Sequence, residues 1–355
     1  MTLEDLGYNS NLENYRKEQG LITFDVGRVI SEHKERYVVK TDKNEFNAEI
    51  IGNLRFSAKN RSGFPAVGDW VSISEYDKNK ALIYAIFPRK TVIERQAVGK
   101  SGEKQVIASN IDYAFLVQAV DRDFNINRLE RYLTICNASQ VNPVIILSKT
   151  DLVSEIYLKD ILDKISTRIK RLPVITISNE TQSGYKELNA LMERGKTYCL
   201  LGSSGVGKST LLNNLSGKPV MKTDTISLST NKGKHVTSHR ELIILENGGI
   251  VIDNPGMREV GITDAGTGLE ITFDAIVKLS RNCKFKDCTH IRETGCAVLK
   301  AVGNGEIDKF SYENYLKMEK EKRHYESSVA EKRKKDKEFG KMYKNYKKAK
   351  KLNKW

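Results

Sequence analysis

Gly202-Ser203-Ser204-Gly205-Val206-Gly207-Lys208-Ser209-Thr210 follows the apolar run Tyr198-Cys199-Leu200-Leu201 and leads into Leu211-Leu212-Asn213-Asn214-Leu215. Apolar strand, glycine-rich loop and helix start are the setting of the phosphate-binding pattern GxxxxGK[ST], matched here from Gly202 to Ser209. Its glycines let backbone N–H groups turn inward around a phosphate, and the helix start adds positive potential. Lys208 is then placed for the β- and γ-phosphates and the Ser209 hydroxyl for Mg²⁺. A nucleoside triphosphate is the expected ligand.

Upstream of this loop the chain alternates strand and helix. Asp112 to Val117, Pro143 to Leu147 and Pro173 to Ile177 read as buried strands. Ile126 to Ala138, Ser154 to Arg171 and Gly184 to Glu193 carry helical periods. Such alternation predicts a parallel sheet covered by helices, with ligands at the carboxyl ends of its strands. Ser148-Lys149-Thr150-Asp151 falls at one such end and is similar to the guanine motif NKxD, with Ser148 at the Asn position. The Asp151 carboxylate accepts hydrogen bonds from guanine N1 and the exocyclic amine; adenine offers no such donor pair. Ser178-Asn179, after the next strand, takes the place of the fifth GTPase motif, which supports the base.

Downstream come Gly233-Lys234-His235-Val236-Thr237 and the strand Ile250 to Asp253, which ends in the DxxG pattern Asp253-Asn254-Pro255-Gly256. In this pattern Asp253 holds Mg²⁺ through water, the Gly256 N–H meets the γ-phosphate, and Thr237 ligates Mg²⁺ only while that phosphate is present. In ordinary GTPases the base motif comes last. Here it precedes the phosphate loop, so the sequence predicts a circularly permuted GTPase domain over residues 106–275. Met257 stands where ordinary GTPases carry the water-orienting Gln. His235 is the candidate replacement, and slow intrinsic turnover is expected.

Residues 1–20 are polar and without period, whereas 21–95 offer five short alternating strands, which predict a small β-barrel with the five-stranded OB-fold as first candidate and an SH3-like barrel as second. Ser57 to Gly68, with Lys59 and Arg61, reads as a basic loop able to meet nucleic acid. Within 276–316 lie Cys283, Cys288, His290 and Cys296, a closed four-ligand set for one structural Zn²⁺. Cys136 and Cys199 sit in apolar patterns and are read as core. The chain has 355 residues, 39% of them hydrophobic, and a formal charge of +14. From Lys317 to Trp355 there are 16 Lys or Arg against 6 Asp or Glu, so +10 of that excess lies in a basic tail. Lysines there alternate with Phe339, Tyr343 and Tyr346, a mix suited to phosphate contact and base stacking. No apolar run reaches about 18 residues, and the start MTLEDLGYNS is no signal sequence, so a cytoplasmic protein without a membrane partner is expected.

The permuted motif order, the segment Gly233 to Thr237, Asp253-Asn254-Pro255-Gly256-Met257-Arg258-Glu259 and the spacing Cys283-x4-Cys288-x-His290-x5-Cys296 together resemble the ribosome small-subunit-dependent GTPase A family, RsgA or YjeQ. The resemblance runs from about Val26 to about residue 310. It implies an OB-fold, a permuted GTPase and a zinc-binding helical domain. By the same resemblance the protein hydrolyses GTP when bound to the small ribosomal subunit and its rRNA, acts late in subunit maturation, and uses His235 in hydrolysis; it is expected to be a monomer when free. Three features depart from the family: Ser148, Val236 where Thr is usual, and the length of the Lys-rich tail. Two rival readings are an RNA-binding assembly factor with a structural nucleotide and an ATP-dependent kinase, the latter disfavoured by Asp151.

Overall fold

The computed structural model describes residues 1–33, 35–58, 61–96, 104–121, 124–220, 240–253, 266–326 and 334. Helix α1 (Ser10–Glu18) is capped by Asn9, whose side chain accepts from the Asn11 and Leu12 N–H groups. It buries Leu12 alone, in a small core with Leu6, Tyr8, Val26, Trp70 and Phe87. One buried position cannot generate a period, so this helix was invisible to pattern reading; its cap and its docking partners make it.

Strands β1 (Asp25–His33), β2 (Arg36–Lys40) and β3 (Glu45–Ile50), the short helix α2 (Gly52–Ser57), and strands β4 (Trp70–Asp77) and β5 (Lys80–Ile86) form the barrel. Neighbours run β1-β2-β3-β5-β4, and a β1–β4 pairing closes the circle. Alternation does the work of the pattern: β3 points Phe46, Ala48 and Ile50 inward, where Val29, Val39, Val71, Ile73 and Ile83 meet them. This is the predicted OB-fold. Two short elements described here were absent from the expectation: α2, six residues with no buried side chain, and a 3₁₀ turn at Arg61–Gly63, likewise without one.

A two-stranded ribbon of β6 (Val92–Gln96) and β7 (Lys104–Ser109) leads into β8 (Tyr113–Ala119), α3 (Ile126–Ala138), β9 (Asn142–Ser148), α4 (Glu155–Arg168), β10 (Val174–Thr176), α5 (Tyr185–Leu191), β11 (Thr197–Leu201), α6 (Lys208–Ser216), β12 (Arg240–Ile244) and β13 (Ile250–Asp253). In the order β10-β9-β8-β11-β13 every pairing is parallel, and β12 adds an antiparallel edge. Leu129 and Cys136 of α3 and Ile161 and Ile165 of α4 cover one face; Leu188 of α5 and Leu211 and Leu212 of α6 cover the other. Cys136 and Cys199 are fully buried, as read from their apolar surroundings, and burial pushes the Cys136 thiol up to about 12. The β12 edge pairs with β1 through Ser31↔Glu241 and Glu32↔Arg240, so barrel and parallel sheet become one eleven-stranded sheet.

Helices α7 (Gly266–Thr272), α8 (Asp274–Ser280), α9 (Ala297–Gly303) and α10 (Lys309–Glu326) enclose a third core of Leu269, Phe273, Ile276, Val298, Ala301 and Met318. Helix α7 lies tightly on α3: a Cβ at Gly268 would come within 2.3 Å of the Thr134 carbonyl oxygen. Beside this crossing, Glu130 is 2% exposed and accepts from Arg168 and Asn314, each at 2.7 Å, while Arg131 grips Glu321 with two bonds of 2.8 and 2.6 Å. Desolvation pushes the Glu130 carboxyl up, against the pull of Arg168. Arg168→Ala leaves this charge buried with amide and hydroxyl partners only, and an expected destabilisation of about 3 kcal/mol follows. Urea unfolding measures it, and the deficit should shrink as acid protonates Glu130. The residues Lys317 to Glu326, taken in sequence as the start of a tail, continue α10, and Met318 is completely buried. No helix among the described residues is long and apolar enough to cross a membrane.

Candidate nucleotide site and metal centre

Strands β8, β9, β10, β11 and β13 are parallel and therefore end on one edge, at Ala119, Ser148, Thr176, Leu201 and Asp253. The phosphate loop leaves that edge at Gly202, where a Cβ would sit 2.3 Å from the Val117 carbonyl oxygen, so only glycine fits. Gly205 and Gly207 have φ of 82° and 92°, the left-handed region that turns successive N–H groups to one side. Val206 between them is buried in the core and anchors the loop, while Ser203, Ser204, Ser209 and Thr210 are half-buried around it. Helix α6 starts at Lys208, directly behind Gly207. The Lys208 ammonium is folded over its own loop, donating to the carbonyls of Gly202 at 2.7 Å and Ser203 at 2.6 Å.

The loops after β9 and β10 grip this loop from one side. Ser148 is fully buried at the end of β9, and its hydroxyl donates to the Val206 carbonyl at 2.7 Å. Lys149 has a left-handed backbone, φ 62°, and its ammonium pairs with Asp121 at 2.9 Å. The Thr150 N–H donates to the Ile177 carbonyl at 3.3 Å, which ties the two loops together. Asp151, in the 3₁₀ turn Thr150–Leu152, is exposed at the same edge. Ser178 is buried and its hydroxyl accepts from the Thr181 N–H, while the Asn179 amide donates to the Gly207 carbonyl at 3.0 Å. Asp253 ends β13 at 4% exposure. His235, Thr237, Gly256 and Met257 lie outside the described residues. Sequence reasoning missed Asp121, Tyr185 and Asn214, which hold these loops from behind; no spacing rule joins positions so far apart in the chain.

The four residues Cys283, Cys288, His290 and Cys296 come together, their donor atoms all within 4.8 Å of one another. His290 Nδ1 stands 3.6 Å from Cys283 Sγ and 3.5 Å from Cys296 Sγ, and the two sulfurs are 3.8 Å apart. A tetrahedral ion with metal–sulfur bonds near 2.3 Å requires ligand separations of about 3.8 Å. The set fits a metal ion. Its turn is stiffened by Glu293, whose carboxylate accepts from the N–H groups of Thr289, Ile291 and Arg292 and from the Thr289 hydroxyl. Those donors hold the Glu293 carboxyl down at about 2. The Tyr312 hydroxyl donates to the His290 carbonyl at 2.5 Å, which joins the cluster to α10.

With base motif before phosphate loop and both at one sheet edge, the arrangement matches known proteins. Residues 86–263 match the family model described as RsgA GTPase. A small ribosomal subunit biogenesis GTPase RsgA 1 of Bacteroides thetaiotaomicron is 38% identical over 97% of this chain and 96% of its own. The chain belongs to the RsgA GTPase family. Another RsgA, that of Listeria monocytogenes numbered 2, is 42% identical over 90% of this chain and 89% of its own. Among solved structures, YjeQ from Thermotoga maritima is 26% identical with a TM-score of 0.61, covering 83% of this chain and 96% of that one. YloQ, described as a circularly permuted GTPase, is 25% identical at the same TM-score, over 87% and 98%. The RsgA relatives thus share nearly the full length described here, barrel and C-terminal helices included.

Proposed function

We propose that this RsgA-family protein hydrolyses GTP to GDP and phosphate as a timed switch in late maturation of the small ribosomal subunit, bound to the subunit and its rRNA in the cytoplasm. The observation that carries the reading is the meeting of Ser148 and Asn179 with consecutive carbonyls of the phosphate loop, Val206 and Gly207. It brings a guanine-type motif and a phosphate cradle into one site. In this reading Asp151 receives the guanine donors, with Lys149 and Thr150 beside the base. Residues Gly202 to Thr210 surround the phosphates, and Lys208 exchanges its two carbonyls for phosphate oxygens. Ser209, Thr237 and Asp253 hold Mg²⁺, which neutralises charge on the phosphates. His235 orients the attacking water and Gly256 meets the γ-phosphate. The ion at Cys283, Cys288, His290 and Cys296 is Zn²⁺, since three thiolates and an imidazole suit it and leave no open position.

GTP turnover with and without purified small subunits tests this function. A stimulation of about tenfold or more is expected, since a partner that orders a switch residue acts on the barrier by more than about 1.4 kcal/mol. Turnover that ignores the subunits would leave only the assembly-factor reading.

Cutting the chain after Glu326 tests the tail. Residues beyond it carry 12 Lys or Arg against 3 Asp or Glu, so their loss should weaken subunit binding and flatten its salt dependence. A cut at Lys317 is the wrong test: it removes the buried Met318 and the partly buried Glu321 that pairs with Arg131, at an expected cost of about 3 kcal/mol in fold stability. Binding titrations at several salt concentrations separate the two truncations.

A further inference from the structure

We propose that Tyr185 and Asn214 are positioning residues for the phosphate cradle: through Asn179 they hold the Gly207 carbonyl outward, so that the adjoining Lys208 N–H faces the second phosphate of a bound nucleotide. The proposal rests on the nucleotide-site reading above and adds two residues to it. Both lie on helices, Tyr185 at the start of α5 and Asn214 in the last turn of α6. Asn179 lies between them in space, just past β10.

Hydrogen-bond direction decides the arrangement. The Asn214 side-chain nitrogen has two hydrogens, and it donates to the Asn179 carbonyl at 2.9 Å and to the Tyr185 hydroxyl oxygen at 3.0 Å. Having accepted there, the Tyr185 hydroxyl sends its single hydrogen to Asn179 Oδ1 at 2.8 Å. The acceptor end of the Asn179 amide is thereby engaged, and its donor end must face the Gly207 carbonyl, at 3.0 Å. A flipped amide would set oxygen against oxygen at that contact. Tyr185 keeps its hydrogen across the ordinary pH range, since burial pushes the phenol up to about 12.

The consequence for the loop comes from peptide geometry. In a trans peptide the C=O and the following N–H point in opposite directions. Ser148 draws the Val206 carbonyl toward the base-side loops, and Asn179 draws the next one, Gly207. The N–H groups of Gly207 and Lys208 therefore point away from those loops, into the cradle. The Gly207 carbonyl also accepts the Leu211 N–H at 2.8 Å, so the same atom starts helix α6. Residue 207 has no room to vary: a Cβ there would lie 2.5 Å from Asn179 Nδ2. A nucleoside monophosphate lacks the second phosphate that this part of the cradle receives, so the relay should matter for GDP and not for GMP.

The test is competition of GDP and of GMP against a fluorescent GDP, with thermal unfolding recorded for each protein. Tyr185→Phe keeps the ring in the core and removes the directing hydroxyl; Asn179→Asp keeps the shape and turns an acceptor toward the Gly207 carbonyl. GDP affinity is expected to fall about fivefold in the first, the effect of one hydrogen bond. In the second it should fall more than about tenfold, since a charged acceptor faces a carbonyl. GMP affinity and melting temperature should stay near wild type in Tyr185→Phe, so the GDP-to-GMP ratio falls. An unchanged ratio in both variants, or equal weakening of GDP and GMP, overturns the proposal. Wild-type protein that binds no GDP would instead overturn the nucleotide-site reading beneath it.

Discussion

Asp151→Asn is expected to weaken GTP and GDP binding by about a hundredfold, the equivalent of roughly 3 kcal/mol for two hydrogen bonds made to a charged acceptor. The same variant should gain affinity for xanthine nucleotides, whose base presents an acceptor where guanine has its amine. Wild-type protein should in turn prefer GTP to ATP by a comparable factor, because adenine leaves the carboxylate without its donor pair. The geometry supports a clean result. Asp151 is exposed at the strand edge, so its replacement disturbs no core. Its loop is held independently by the Ser148–Val206 bond, the Lys149–Asp121 pair and the Thr150–Ile177 bond. Nucleotide competition on the two proteins measures the effect; equal wild-type affinities for GTP and ATP would refute the base assignment.

Cys288→Ala is expected to abolish metal binding and to unfold the C-terminal helices at a temperature well below the main transition. A tetrahedral four-ligand site should carry about one Zn²⁺ per chain in protein purified without chelator. Binding free energy of such an ion is largely folding free energy. The ligands are wired into that small core: Cys296 caps α9, accepting from the Leu299 N–H, and the Tyr312 hydroxyl holds His290 from α10. Cys283 and Cys288 pack, partly buried, against the C-terminal core that includes Cys296, Val298 and Met318. GDP affinity should stay near wild type, since the phosphate loop and base motif stand on β9, β11 and α6. Metal analysis and two-transition melting curves check the two halves of the expectation. Purified protein free of zinc would sink the assignment.

Much of this was legible in the chain because the signals are local. The strand–loop–helix context of Gly202 to Thr210 needs nine residues and their flanks, and the strand and helix periods between Asp112 and Glu193 each need one face of one element. Helix α3 was read with its observed bounds, Ile126 to Ala138, because its apolar face is dense. The Cys3His cluster, which could hold a metal ion, was legible for a different reason, the crowding of three cysteines and a histidine into fourteen positions. Helix α1 and the course of α10 through Lys317 to Glu326 were not. Each shows a mainly polar sequence whose few buried residues, Leu12 and Met318, find their partners far away in the chain.

By itself the sequence determined the classes of parts: a barrel by alternation of period two, a parallel sheet by strand–helix alternation, a phosphate loop by its glycines, and a Cys3His cluster able to hold a metal by its spacing. Motif order determined the permutation. Only tertiary structure decided how the parts are joined. The β1–β12 pairing that fuses barrel and sheet, the approach of Gly268 to Thr134 and the Glu130–Arg168–Asn314 seam all link residues remote in the chain. So does the relay from Asn214 through Tyr185 and Asn179 to Gly207. Hydrogen bonds and close backbone approaches depend on ångström-scale placement across elements, and no local pattern encodes that placement.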